Sequence, residues 1–126
     1  MKIVKGVEKI RQQFDFFEGY VSKIEWSKDL FDLIISVNYF WQDNNNCQNK
    51  EVKVILKDCT QASFNSPQNS GICSDIDKSM AKSYVLYSIQ LLNIEKENDK
   101  WRVVIYTTEL EHKWLDALFS EMLVEY

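Results

Sequence analysis

Phe31, Leu33, Ile35, Val37, Tyr39 and Trp41 occupy successive alternate positions in "LFDLIISVNYFWQ". A repeat of two places all six on one face of a pleated strand and on no single face of a helix. The stretch therefore commits the chain to a sheet with one side on a core. The segment that follows repeats the demand, since Val52, Val54 and Leu56 alternate with Lys53 and Lys57, the pattern of a strand with one wet face. Between the two runs lies "QDNNNCQN". Asparagine tolerates left-handed backbone and bonds its own turn, so this run reads as an exposed hairpin loop. Cys47 is its one reactive oddity.

Further elements follow from the same local rules. "FFEGYVSKIEW" is rich in aromatic and β-branched residues, a strand by composition, and Ser27-Lys28-Asp29 supplies turn chemistry. "QASF" continues the third strand beyond Cys59. "YVLYSIQLLNIEKE" and "KWRVVIYTTE" flank Glu97-Asn98-Asp99 as a hairpin. The first arm has Val85, Tyr87, Ile89 and Leu91 on one side and Leu86, Leu92 and Ile94 on the other, which predicts a central strand covered on both faces. Val4, Val7, Ile10 and Phe14 recur at helical spacing and predict an N-terminal helix ending near Asp15. Residues 65–74 read as a loop. Ile76, Met80 and Tyr84, with Asp75 and Asp77 in a first turn, predict a short helix near residues 75–83.

Residues 109–126 satisfy two periods at once. Leu110, Trp114, Leu118 and Met122, after a capping box Thr108-x-x-Glu111, fit a helix. Leu115, Ala117 and Phe119, then Met122, Val124 and Tyr126 after a bulge, fit two strands. The count of apolar positions slightly favours the helix. Runs of strands bracketed by helices argue for α+β rather than a parallel sheet. The expected fold is mainly antiparallel β, about six strands in a curved or barrel-like sheet, with one domain spanning 1–126. That length suffices for a real core without staples.

Charge and composition then exclude classes. A net charge of −4 argues against nucleic acid, which needs a basic surface to release counterions. Nowhere do eighteen apolar residues run together, so no helical membrane span is expected. "MKIVKGVEKI" lacks the continuous apolar run and cleavage site of a signal peptide. Three cysteines, an odd number, fit reduced thiols in a cytoplasm, and cytoplasmic residence is the expectation. Gly6, Gly19 and Gly71 lie too far apart for a phosphate-cradling loop.

No motif assembles a catalyst. His112 is the single histidine, which excludes a two-histidine metal site, and no family motif surrounds Cys47, Cys59 or Cys73 as partners for it. Cysteine spacings of 12 and 14 match no zinc site. "SDIDKSMAKSYVL" opens like a calcium loop at Asp75, Asp77 and Ser79. It then places Met80 where glycine is required and Leu86 where a bidentate glutamate is needed. Glu18, Glu25, Asp29 and Asp32 cluster near the first hairpin and would serve a metal-dependent hydrolase only if they converged. No cofactor and no metal are expected. Tyr39, Trp41, Trp101 and Trp114 stand near segment ends, where surplus aromatics can turn to recognition.

In order of features (a short basic helix, "FDFFEGYVSKIEW", a long alternating strand, "VKVILKDCTQASF", a hairpin ending "VVIYTT" and a terminal "SEMLVEY") the chain resembles small single-domain bacterial β-rich proteins of unassigned function, many of them immunity-protein-like. The resemblance implies an antiparallel sheet, a final strand in the tail, and no catalytic residues to carry over. The resulting expectation is a non-enzymatic protein-binding module, an immunity-type toxin inhibitor, meeting a basic toxin-like protein through Tyr39, Trp41, Glu109, Glu111 and Asp116. A small-ligand-binding β-barrel is the alternative and a carboxylate-dependent hydrolase the third reading. Oligomeric state is left open.

Overall fold

A computed structural model describes residues 2–14, 16, 19–43, 46–65, 89–107 and 113–126, with the backbone alone over 39–43 and 46–50. The strands are β1 (Ile3–Lys5), β2 (Tyr20–Trp26), β3 (Leu33–Asp43), β4 (Asn46–Lys57), β5 (Gln61–Phe64), β6 (Leu91–Glu97), β7 (Lys100–Tyr106), β8 (Lys113–Phe119) and β9 (Glu121–Glu125), with the helix α1 at Val7–Gln13. All pairings are antiparallel. They form a five-stranded sheet in the order β1-β9-β4-β3-β2 and a four-stranded sheet in the order β5-β8-β7-β6.

Mainly antiparallel β therefore holds, with two corrections. The described residues alone contain nine strands rather than about six. The sheets are also two open layers and not a barrel, since each strand order ends on two different edges. The expected helix near 75–83 lies outside the described residues.

The alternating strand behaves as its period demands. Leu33, Ile35 and Val37 are buried, as are Val52, Val54 and Leu56 opposite them in register. Pairing runs unbroken from Leu33↔Leu56 to Asp43↔Asn46. Cys47 thus stands in β4 opposite Gln42, and the loop is shorter than the polar run suggested. Phe31 departs from the pattern: β3 begins two residues later, and Phe31 is left in solvent.

The tail forms strands, against its helical count. β9 lies between β1 and β4, with Val124 paired to both Val4 and Val54. In this slot Met122 and Val124 reach the core while the backbone is bonded on both sides. A helix there would leave the β1 and β4 edges unpaired.

The two layers share one bent ladder. Pairing of β4 with β9 ends at Lys57↔Glu121, and pairing of β5 with β8 resumes at Gln61↔Leu118. Between these points residues 58–60 oppose residues 119–120, one extra residue on the β4–β5 side, which is the count of a β-bulge. Asp58 absorbs the bend at φ 51. Ser120 N–H donates to Lys57 O at 2.9 Å and Thr60 N–H to Leu118 O at 2.9 Å, so the corner stays bonded. "QASF" does continue the chain direction of β4, but in the other sheet.

The helix is shorter than its periodic residues. Val4 belongs to β1, and Gly6, at φ 100, makes the sharp turn into α1 that a side chain would strain. Val7 and Ile10 face the core. Phe14, at the C-cap, stacks on Phe16 and meets Tyr126 edge-on. Gly19 then passes so close to β3 that a Cβ would lie 3.1 Å from Val37 Cγ1 and 3.2 Å from Asn38 O. The first hairpin arm is corrected in its described part: among the described residues β6 stands at the end of the four-stranded sheet, and Leu91 is exposed, while Val85, Leu86 and Tyr87 lie outside the described residues.

Candidate functional site

The turn between β2 and β3 carries the two most exposed large apolar side chains among the described residues, Leu30 at 69% and Phe31 at 62%, and Trp26 at the end of β2 is 39% exposed. The turn is nonetheless tightly bonded. Ser27 N–H donates to Asp32 O at 2.8 Å and Leu30 N–H to Ser27 O at 2.9 Å. Cys59 N–H, from the corner, donates to Phe31 O at 2.8 Å. Asp32 ties the turn to that corner, accepting from Lys57 Nζ at 2.7 Å and from Asp58 N–H at 3.1 Å. Closing this compact loop drives Leu30 to φ 67, a region that favours glycine or asparagine over a leucine.

Electrostatics follow from those contacts. The Ser27 hydroxyl, with the Phe31 N–H beside it, holds the Asp29 carboxyl below the usual carboxylate range. The Asp32 carboxylate raises Lys57. Burial pushes the Cys59 thiol up, which keeps it a protonated packing residue. Lys23 pairs with Glu25 at 3.4 Å. Glu25, Asp29 and Asp32 are thus each engaged separately instead of converging, while Glu18 lies outside the described residues. Among the described residues no three His, Cys, Asp or Glu side chains group so as to hold a metal ion.

Of the five partner-contacting residues expected from sequence, Asp116 alone has a described side chain. Tyr39 and Trp41 lie in β3 with their side chains undescribed, and Glu109, Glu111 and His112 fall outside the described residues. Asp116 is only 19% exposed on β8, where it accepts from Arg102 at 2.7 Å and pairs with Lys113 at 3.2 Å. Burial alone would raise its carboxyl, but the bonds from Arg102 and Lys113 outweigh that and lower it. Asp116 is therefore committed to the sheet surface. Sequence reasoning missed Leu30 and Phe31 as a pair, because Phe31 was counted into the strand. The signal was there in two adjacent bulky residues directly after a turn.

A second feature lies between α1 and β6. A groove of about 310 Å³ runs between Ile10, Phe14 and Phe16 on one side and Leu91, Leu92 and Ile94 on the other, with Arg11 at its rim. Arg11 donates to Ile94 O, pairs with Glu8 at 3.7 Å, and stands over the Trp101 ring at 5.7 Å. Lys96 stands over the same ring at 5.7 Å.

No protein-family model matches the chain, and no curated protein matches it. In fold it is similar to the crystal structure of an uncharacterized protein from Neisseria gonorrhoeae, with a TM-score of 0.59 and 10% identity over 100% of this chain and 99% of that one. The similarity carries the two-layer architecture and no activity. Among the described residues no helix is long and apolar enough to cross a membrane.

Proposed function

We propose that the chain is a non-enzymatic protein-binding module, an immunity-type inhibitor that docks its 26–32 turn on a basic, toxin-like partner protein. The observation that carries this reading is Leu30, a strained leucine projecting into water at the tip of a tightly bonded turn. Strain of this kind persists where the surroundings over-determine it, and it clusters at ligand clamps and binding loops. Leu30 and Phe31 bury little in the free chain. Covered by a partner, each would gain roughly 1.5–3 kcal/mol. Rigid apolar anchors inside a polar rim are the usual anatomy of a binding hot spot. Beside the tip, Asp29, Asp32 and Asp58 stand against two cations, Lys28 and Lys57, a net negative balance. With the overall charge of −4, this favours a basic surface and electrostatic steering of encounter.

The test compares the tagged chain with a Leu30→Ser, Phe31→Ser double variant on native-host lysate at low salt. A basic protein held stoichiometrically by the parent and released by the variant supports the reading. Equal retention by both chains overturns the turn as the docking surface. Charge reversal of Glu109 and Glu111 in the same assay tests the acidic face proposed from sequence.

The small-ligand alternative has lost its barrel but keeps one observation, the apolar groove beside α1. The carboxylate-dependent hydrolase has no comparable support: among the described residues Glu25, Asp29 and Asp32 are engaged singly.

A further inference from the structure

We infer that the groove between α1 and β6 is a binding site for a medium-chain carboxylate, a free amphiphile whose alkyl tail lies along the groove and whose head meets Arg11 and Lys96. The site is separate from the docking turn and independent of it. Three observations meet in it.

The walls are mostly apolar, with Gln90 and Arg11 as their polar members, and largely pre-formed. Ile10, Phe14, Phe16 and Ile94 are buried core residues whose outer sides line the groove. Its volume of about 310 Å³ sits at the lower end for small-molecule pockets. At about 30 Å³ per water-sized unit it admits roughly ten non-hydrogen atoms in file. A single medium-length tail fits that volume, whereas a two-tailed lipid exceeds it.

Arg11 lines the rim, and Lys96 stands over the same Trp101 ring as Arg11, although the chain as a whole is acidic. Among the described residues Glu8 alone pairs with either cation, at 3.7 Å from Arg11. Among the described residues Lys96 has no carboxylate partner. Arg11 spends a donor on Ile94 O, which fixes its guanidinium at the mouth. With its side chain 41% exposed, it presents further N–H groups in the planar fork that suits a carboxylate.

The groove floor backs onto a packing defect. Phe16, Ile89, Leu92 and Ile94 line both the groove and an inner void of about 20 Å³ between the sheets. That void has an entirely apolar lining, so it stays dry and gives the floor side chains room to yield to a tail.

The experiment titrates the full chain with sodium decanoate below its micelle concentration, read by calorimetry and by amide NMR shifts. Decyltrimethylammonium, acetate and phosphatidylglycerol vesicles serve as comparators. The expected result is one decanoate per chain, shifts centred on Ile10, Arg11, Leu92 and Ile94, and at least tenfold weaker binding of the cationic analogue. Lys96→Glu, at an exposed position, should weaken decanoate several-fold with the melting temperature kept. Arg11→Gln, which retains a donor for Ile94 O, should weaken it tenfold or more. Equal affinity for both head groups, undiminished binding by the two variants, acetate binding as tightly as decanoate, or vesicle binding without decanoate binding would each overturn the proposal.

Discussion

A leucine at φ 67 with most of its surface in water carries two costs at once: a left-handed backbone that crowds its Cβ, and apolar area that the fold does not bury. Neither is offset within the free chain. Asn98, at φ 58 in the β6–β7 turn, occupies similar backbone with a residue that tolerates it. Replacing Leu30 with asparagine should therefore stabilise the protein by about 0.5–1 kcal/mol, a rise of a few degrees in Tm, while weakening partner capture. Thermal melts read beside the binding assay check this. A lower Tm for Leu30→Asn would show that the leucine packs usefully at home and would remove the argument for its binding role.

At the scale of elements, Arg102 holds the outer face of the four-stranded sheet together. From β7 it donates to Glu97 on β6 at 2.6 Å and to Asp116 on β8 at 2.7 Å. Both carboxyls are held below their ordinary values of 4.5 and 3.8, and the guanidinium is raised. A carboxyl with a depressed folded-state pKa stabilises the fold above its unfolded value, and that contribution disappears as pH falls through the lower, folded value. The network should therefore contribute fully above about pH 5 and drop out progressively below about pH 4. Arg102→Met should lower Tm at neutral pH yet flatten its decline in acid. Melts of both chains from neutral to acidic pH test this, and parallel curves would assign the acid sensitivity elsewhere. The exposed partner, Glu97, adds little beyond screened attraction.

The whole molecule is coupled by its corner. Because β4 runs into β5 and β8 into β9 through one bonded bend, neither sheet can separate without opening the ladder that both share. A single core lies between them, with Phe119, Leu115 and Val103 from one layer and Leu33, Val52 and Met122 from the other among its fully buried side chains. Unfolding in urea should consequently be one cooperative transition, with far-ultraviolet dichroism and tryptophan fluorescence sharing a midpoint. Trp26 reports on the five-stranded sheet, and Trp101 and Trp114 on the other. Two separated midpoints would mean that the sheets fold as independent units.

The sequence by itself determined the strands β2, β3, β4 and β7, the inward faces of the alternating runs, and the turns at Ser27-Lys28-Asp29 and Glu97-Asn98-Asp99. These depend on side-chain period and on which residues tolerate turn backbone, both properties of a few neighbouring positions. Only the tertiary structure decided the rest. In the tail the apolar positions answered a period of four and a period of two together, and the open slot between β1 and β4 selected the strand. "QASF" reads as one continuation of β4, yet a single extra residue at the corner sends it into the other sheet. Asp116 looks like a free acid until Arg102 and Lys113, brought alongside through the β7–β8 pairing and by the close spacing along β8, neutralise it. Phe31 follows the inward alternation in sequence, but the bond from Cys59 holds its backbone in the turn and leaves its ring in water. In each case the deciding partner is remote in the chain or presented by a neighbouring strand. Burial and pairing depend on what stands opposite, and a local pattern does not carry that information.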